Sequence, residues 1–115
     1  MKKDDKVHLQ DALEAIELVN KHLEEKTFEN FSQSELLRDA VLFRITILRN
    51  ALGKVSDTMV NAHSEIPWRE AISNRNFLIH DYGSINLEML WKTCNEDLPK
   101  LKEPLQKILE ELSIE

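Results

Sequence analysis

Apolar side chains recur at spacings of three to five residues near the start of the chain, at Val7, Ala12, Leu13, Ile16, Val19 and Leu23. That spacing predicts an amphipathic helix over about residues 5–25. Residues 27–32 read as a linker, with Phe28 and Phe31 packing down onto the core. Ser34 precedes a second helix over about residues 35–55. Its apolar positions, among them Leu36, Val41, Phe43, Ile45, Ile47, Leu48 and Leu52, cover more than half of the circumference. Such a helix either sits at the centre of a bundle or turns a second face to a partner chain. Residues 56–65 are polar and read as partly irregular. Ile66-Pro67-Trp68 opens a third helix, with Pro67 in the first turn, where its missing N–H costs nothing. Gly83 suits its C-terminal end. Asn86 caps a fourth helix through Trp91 and Cys94. A fifth, over about residues 96–112, carries Leu98, Leu101, Leu105, Ile108, Leu109 and Leu112, and Pro104 should bend or split it. The expected fold is all-α: one domain over residues 1–115, an up-and-down bundle of four to five helices joined by short connections.

Composition narrows the class. Two Gly and three Pro among 115 residues leave the chain few breakers, as a helical protein requires. The lone Cys94 excludes an internal disulfide framework and a multi-Cys zinc site, and a cytoplasmic home is expected. No apolar run approaches the roughly 20 residues needed to span a bilayer, and Met1-Lys2-Lys3-Asp4-Asp5-Lys6 leads into no apolar segment, so it does not read as a signal peptide. The formal net charge of −6 works against broad affinity for nucleic acid, because counterion release favours a basic surface. A chain of this charge that acts on RNA needs a local basic site or few phosphate contacts.

Candidate chemistry is concentrated in Ser73-Asn74-Arg75-Asn76-Phe77-Leu78-Ile79-His80-Asp81-Tyr82-Gly83. Arg can hold a phosphate, His can move a proton near neutral pH, and Tyr offers a hydroxyl. Arg75 and Tyr82, seven apart, fall within roughly 20° on a helical wheel, and Asn76 and His80 are also neighbours. Arg75 and His80 lie about 140° apart, so one ideal helix does not bring both to one phosphate. Two copies facing each other across a twofold axis would, and the spacing therefore argues for a dimer. The matching chemistry is transesterification of RNA. His80 transfers the proton, Arg75 stabilises charge on the phosphoryl oxygens, and Asn76 orients the imidazole or donates to phosphate. Nothing in the sequence supplies the ligand cluster of a two-metal mechanism, and no cofactor is expected. The same residues also fit a polar helix end without chemistry, since His is favoured there by the helix dipole and Tyr beside Gly is an ordinary anchor.

Other positions carry less. His8, His22 and His63 have no paired spacing and read as surface residues. Cys94 reads as a buried, inert thiol. Trp68 and Trp91 read as core or interface anchors. Arg44 and Arg49 fit either a substrate groove or a solvated helix face, and residues 110–115 read as a fraying end.

The string from Arg75 to Gly83 resembles the signature of the HepT-like branch of the HEPN superfamily. The resemblance extends to Thr27-Phe28-Glu29-Asn30-Phe31, to Ile66-Pro67-Trp68 and Ile72, and to Leu90-Trp91 followed by Glu96-Asp97-Leu98-Pro99-Lys100-Leu101. It implies a dimeric helical bundle, the toxin of a type II toxin–antitoxin system, with a metal-independent endoribonuclease site shared across the homodimer. Arg75 and His80 become its catalytic pair and Asn76 their support. The resemblance also implies a minimal nucleotidyltransferase antitoxin that transfers AMP from ATP onto Tyr82 and blocks the site. Tyr82 shares a face with Arg75, so a phosphate there would compete for the same guanidinium. The other reading the sequence leaves is a non-catalytic helical dimer that binds, or is only a substrate of, a nucleotidyltransferase. One departure stands out: where the family commonly has Gly-Glu late in its second helix, this chain has Gly53-Lys54.

Overall fold

Leu9, Ala12, Ile16, Val19 and Leu23 repeat at spacings of three and four along α1 (Lys3–Leu23), and all five are buried. The computed structural model describes residues 3–73 and 85–114, and within them regular structure is helical, with no strand. The buried stripe of α1 begins at Leu9 rather than at Val7, which is exposed. Val41, Ile45, Leu48 and Leu52 of α3 (Glu35–Gly53) and Leu98, Leu101, Leu105 and Ile108 of α7 (Leu98–Ile114) present matching stripes. α1 packs against both helices, and the three stripes close one core.

The residues expected to form a linker instead form a short helix, α2 (Phe28–Gln33). Thr27 and Asn30 cap it reciprocally, side chain to backbone N–H in both directions. Phe31 is buried and Phe28 sits at the surface, their rings 5.3 and 5.9 Å from that of Trp91. Between α1 and α2 the chain reverses at Glu25, which takes a left-handed φ of 61°. The stretch expected to be partly irregular holds α4 (Asp57–Ala62), capped by Ser56. α5 spans Trp68–Ser73.

The expected break between a fourth and a fifth helix is absent. α6 (Leu87–Lys92), capped by Asn86, passes through a π-helical turn (Thr93–Asp97) directly into α7. Pro99 explains the turn. Its ring crowds the carbonyl four residues back and it has no N–H to give. Widening to an i→i−5 bond, Leu98 N–H to Thr93 O, carries the helix past it. Pro104 does not split α7 either: the carbonyl that loses a partner belongs to Lys100, which is exposed to water. The C-terminal residues stay helical to Ile114 rather than fraying from Glu110. Among the described residues the core is thus carried by three long helices, α1, α3 and α7.

Asp5 fixes the start of α1. Its buried carboxylate accepts the Ser56 N–H at 2.9 Å and the Ser56 hydroxyl at 2.7 Å, while Ser56 Oγ accepts the Met59 N–H. Asp5→Ala strands both Ser56 groups and should destabilise the protein by about 1–3 kcal/mol. A fall in the urea midpoint at constant m-value would measure that loss.

Candidate functional site

Arg75, Asn76, His80, Tyr82 and Gly83 lie outside the described residues, which instead define the frame from which the motif departs. The chain reaches α5 through a pinned turn. Trp68 is buried, and its indole N–H donates to the His63 carbonyl at 2.9 Å. Its backbone N–H donates to Ile66, and the Pro67 carbonyl accepts the Ala71 N–H at 2.9 Å. Pro67 therefore stands just before the first helical residue, close to its expected place in the first turn. α5 is also held from α3. Arg49, half-buried on α3, donates through Nε to the carbonyl of Ile72 at 2.7 Å.

That contact gives Arg49 a structural role: half-buried, it holds the backbone of α5 two residues before Asn74. Nothing in the local sequence signals it, because the two partners are 23 residues apart in the chain. Arg44 goes elsewhere, its guanidinium 5.3 Å from the centre of the Phe43 ring.

A cleft of about 650 Å³ borders the same helix end, between α5 and the junction of the π turn with α7. Ser73, the last residue before the motif, lines it together with Glu65, Glu70, Asp97, Lys100 and Thr93. Its three carboxylates repel a phosphate backbone and accept from N–H groups, so the cleft does not itself gather RNA by charge. Thr93 is buried at the head of the π turn, with its hydroxyl unpartnered among the described residues. Nothing in the packing around it accounts for that.

A family model described as "Ribonuclease HepT-like" matches residues 12–108, a span that encloses Arg75, His80 and Tyr82. The chain belongs to the ribonuclease HepT-like family. By that membership its enzymatic class is RNA endonuclease. It is 37% identical to a probable ribonuclease HepT of Thermococcus cleftensis over 94% of this chain and 98% of the relative. It is 38% identical to a protein of Methanocaldococcus jannaschii named as a gamma-glutamylcyclotransferase and putative RNase, over 97% of this chain but only 50% of that protein's length. A putative RNase of the same organism is 30% identical over 91% of this chain and 96% of its own. No solved structure matches the chain.

The HepT-like departure at Gly53-Lys54 has a definite setting. Lys54 ends α3, its N–H donating to Ala51 and Leu52, and its side chain is exposed. A Cβ added at Gly53 would meet nothing within 4 Å, so no contact within this subunit demands glycine there.

The remaining candidates fall into place as structure. His63 lies 3.5 Å from Glu65 across the turn before α5, and its carbonyl is the one that anchors Trp68. Trp91 joins Phe28 and Phe31 in an aromatic cluster. Cys94 is 1% exposed, and burial pushes its thiol up to about 12 from an ordinary 9.0. Folded protein should therefore resist thiol reagents that label it rapidly in urea. The unfolded chain releases this proton near pH 9 while the folded chain keeps it to about 12. Stability is thus complete below pH 9 and falls above it, by at most ~1.4 kcal/mol per pH unit. Denaturation midpoints of wild type and Cys94→Ala between pH 8 and 10.5 should converge as pH rises.

Proposed function

We propose that this HepT-like chain is the toxin of a type II toxin–antitoxin pair, a single-domain, cytoplasmic, metal-independent endoribonuclease that works as a homodimer. The observation that carries the reading is the family match itself, whose span, residues 12–108, includes Arg75, Asn76, His80 and Tyr82. The frame supports it. The Arg49 contact and the Trp68 anchor fasten the helical segment Trp68–Ser73 that leads into these residues, as a site needing fixed geometry requires.

In the proposed reaction a histidine imidazole removes the proton of a ribose 2′-hydroxyl. The oxygen attacks the adjacent phosphorus, the bond to the 5′-oxygen breaks, and an acid protonates that oxygen. The products are a 2′,3′-cyclic phosphate and a 5′-hydroxyl. His80 from the two protomers can supply base and acid. Arg75 stabilises the charge that accumulates on the non-bridging oxygens, and Asn76 holds the imidazole. No cofactor takes part. Tyr82 is the switch: a minimal nucleotidyltransferase partner transfers AMP from ATP to its hydroxyl, which loses its proton as pyrophosphate leaves, and the new phosphate occupies Arg75.

Purified protein incubated with RNA in EDTA, beside His80→Ala and Arg75→Ala, tests the assignment. Cleavage by wild type alone, leaving 2′,3′-cyclic phosphate ends, is expected. RNA left equally intact by all three would replace the nuclease with a dimer that serves only as a nucleotidyltransferase substrate.

A further inference from the structure

One wall of the cleft beside α5 carries an ordered set of polar groups. Thr93, Asp97 and Lys100 line it at spacings of four and three, so they share one face of the helix that runs from the π turn into α7. In that order they offer a hydroxyl, a carboxylate and an ammonium. Asp97 and Lys100 are exposed and form no ion pair among the described residues. Thr93 is 1% exposed, and its hydroxyl has no partner among the described residues. Buried hydroxyls are nearly always hydrogen-bonded, and an orphan in the wall of a cleft points to a bound group that completes it.

We propose that this cleft is a base subsite of the nuclease and takes an unpaired guanine of the RNA. The proposal rests on the endoribonuclease reading above and adds to it the base that the site selects.

The order of donors and acceptors carries the choice. The Watson–Crick edge of guanine presents one acceptor, O6, and then two adjacent donors, N1–H and the N2 amino group. The Lys100 ammonium donates to O6, the Asp97 carboxylate accepts N1–H and one amino N–H side by side, and the Thr93 hydroxyl accepts the other. No other RNA base has two neighbouring donors on that edge. Adenine and cytosine offer an amino group beside an acceptor nitrogen, and uracil one N–H between two carbonyls. Single-stranded RNA leaves this edge open to side chains.

Charge excludes other occupants. Glu65 and Glu70 add two carboxylates to the lining against the one ammonium of Lys100, which repels phosphate and leaves a neutral base unopposed. A cationic side chain of a protein partner would satisfy the carboxylates but meet Lys100 as a like charge. A metal ion does not fit either, since no group of His, Cys, Asp and Glu among the described residues is placed to hold one. Leu98 and Leu101 supply apolar surface for the ring, and about 650 Å³ is ample for a base. Ser73, two residues before Arg75 in the chain, lines the same cleft, so the selected base belongs to a nucleotide close to the cut.

Short oligouridylates carrying one guanosine, adenosine or inosine, incubated with the full chain, test this. Cleavage is read as kcat/KM, and affinity is read on 2′-O-methyl copies, which lack the attacking hydroxyl. Wild type should cut the guanosine strand about 100-fold faster than the adenosine strand and bind its copy about 10-fold tighter. Inosine, which keeps O6 and N1–H and lacks the amino group, should fall between them. Asp97→Asn turns one acceptor into a donor and should shrink the guanosine preference to within about 3-fold. Thr93→Val keeps the side chain's shape and should treat guanosine and inosine alike, a change that loss of packing would not confine to one amino group. No base preference in either readout overturns the subsite and spares the nuclease. A guanosine preference that survives both substitutions places selection elsewhere and overturns the cleft. If no RNA is cut, guanosine-selective binding that Asp97→Asn abolishes upholds the cleft and sinks only the nuclease reading. Binding without selection, or no binding, overturns the cleft as well.

Discussion

His80→Ala should lower the rate of RNA cleavage by about 10²–10⁴-fold, the range that a positioned general acid–base group contributes. The measurement is single-turnover cleavage in EDTA at saturating protein, so that binding and product release do not mask the chemical step. Arg75→Ala should cost about 10²–10³-fold, as the loss of one preorganised donor to a developing oxyanion does. Arg75→Lys should recover only part of it, because an ammonium keeps the charge and loses the bidentate fork. The double variant should be little worse than the poorer single one, since the two side chains stabilise one transition state and their effects do not add. Tyr82→Phe separates the two proposed roles within the motif. It should cleave at the wild-type rate and become insensitive to the nucleotidyltransferase and ATP, having no hydroxyl to modify. Cleavage by His80→Ala at the wild-type rate would sink the assignment of this histidine.

Phe31→Ala should destabilise the fold by about 3–5 kcal/mol, the usual cost of truncating a fully buried aromatic ring. A domain of this size has only about 5–15 kcal/mol in hand, so the variant should be near the edge of folding at 37 °C. The cost has two sources. The ring leaves the core, and Trp91, whose ring centre is 5.3 Å away, loses its main aromatic neighbour. Phe28→Ala is the internal control. Phe28 meets the same Trp91 edge-on but is 37% exposed, so its loss should be well under half as large. Urea unfolding of both variants, read as a shift in midpoint at constant m-value, distinguishes the two residues. Equal losses would mean that α2 is held by its caps and not by the ring of Phe31.

Much of the bundle was legible because periodicity reports burial directly. The stripes of α1, α3 and α7, the caps at Ser34 and Asn86 and the inert Cys94 all follow from spacing and residue type within a few turns of chain. Short elements were less legible. α2 and α4 have too few residues for a period, and their helicity comes from the Thr27–Asn30 box and from Ser56, itself held by Asp5 from 51 residues away. The π turn eluded the sequence for a different reason. Proline ordinarily ends a helix, and only the wider turn ahead of Pro99 shows how this chain avoids doing so. At the site, residue types were enough to nominate Arg75, Asn76, His80 and Tyr82.

By itself, then, the sequence determined an all-helical chain, its main core stripes and the family to which it belongs, because each depends on local spacing or on the order of motifs. Tertiary structure alone decided that Arg49 is spent on the carbonyl of Ile72, that Phe31 is core where Phe28 is rim, and that α3 buries one apolar face while leaving Leu36 and Phe43 exposed. A wheel shows only that α3 is apolar over more than half of its circumference. Which side finds a neighbour within the subunit depends on where α1, α2 and α5 come to rest, and that is a property of the packed bundle as a whole.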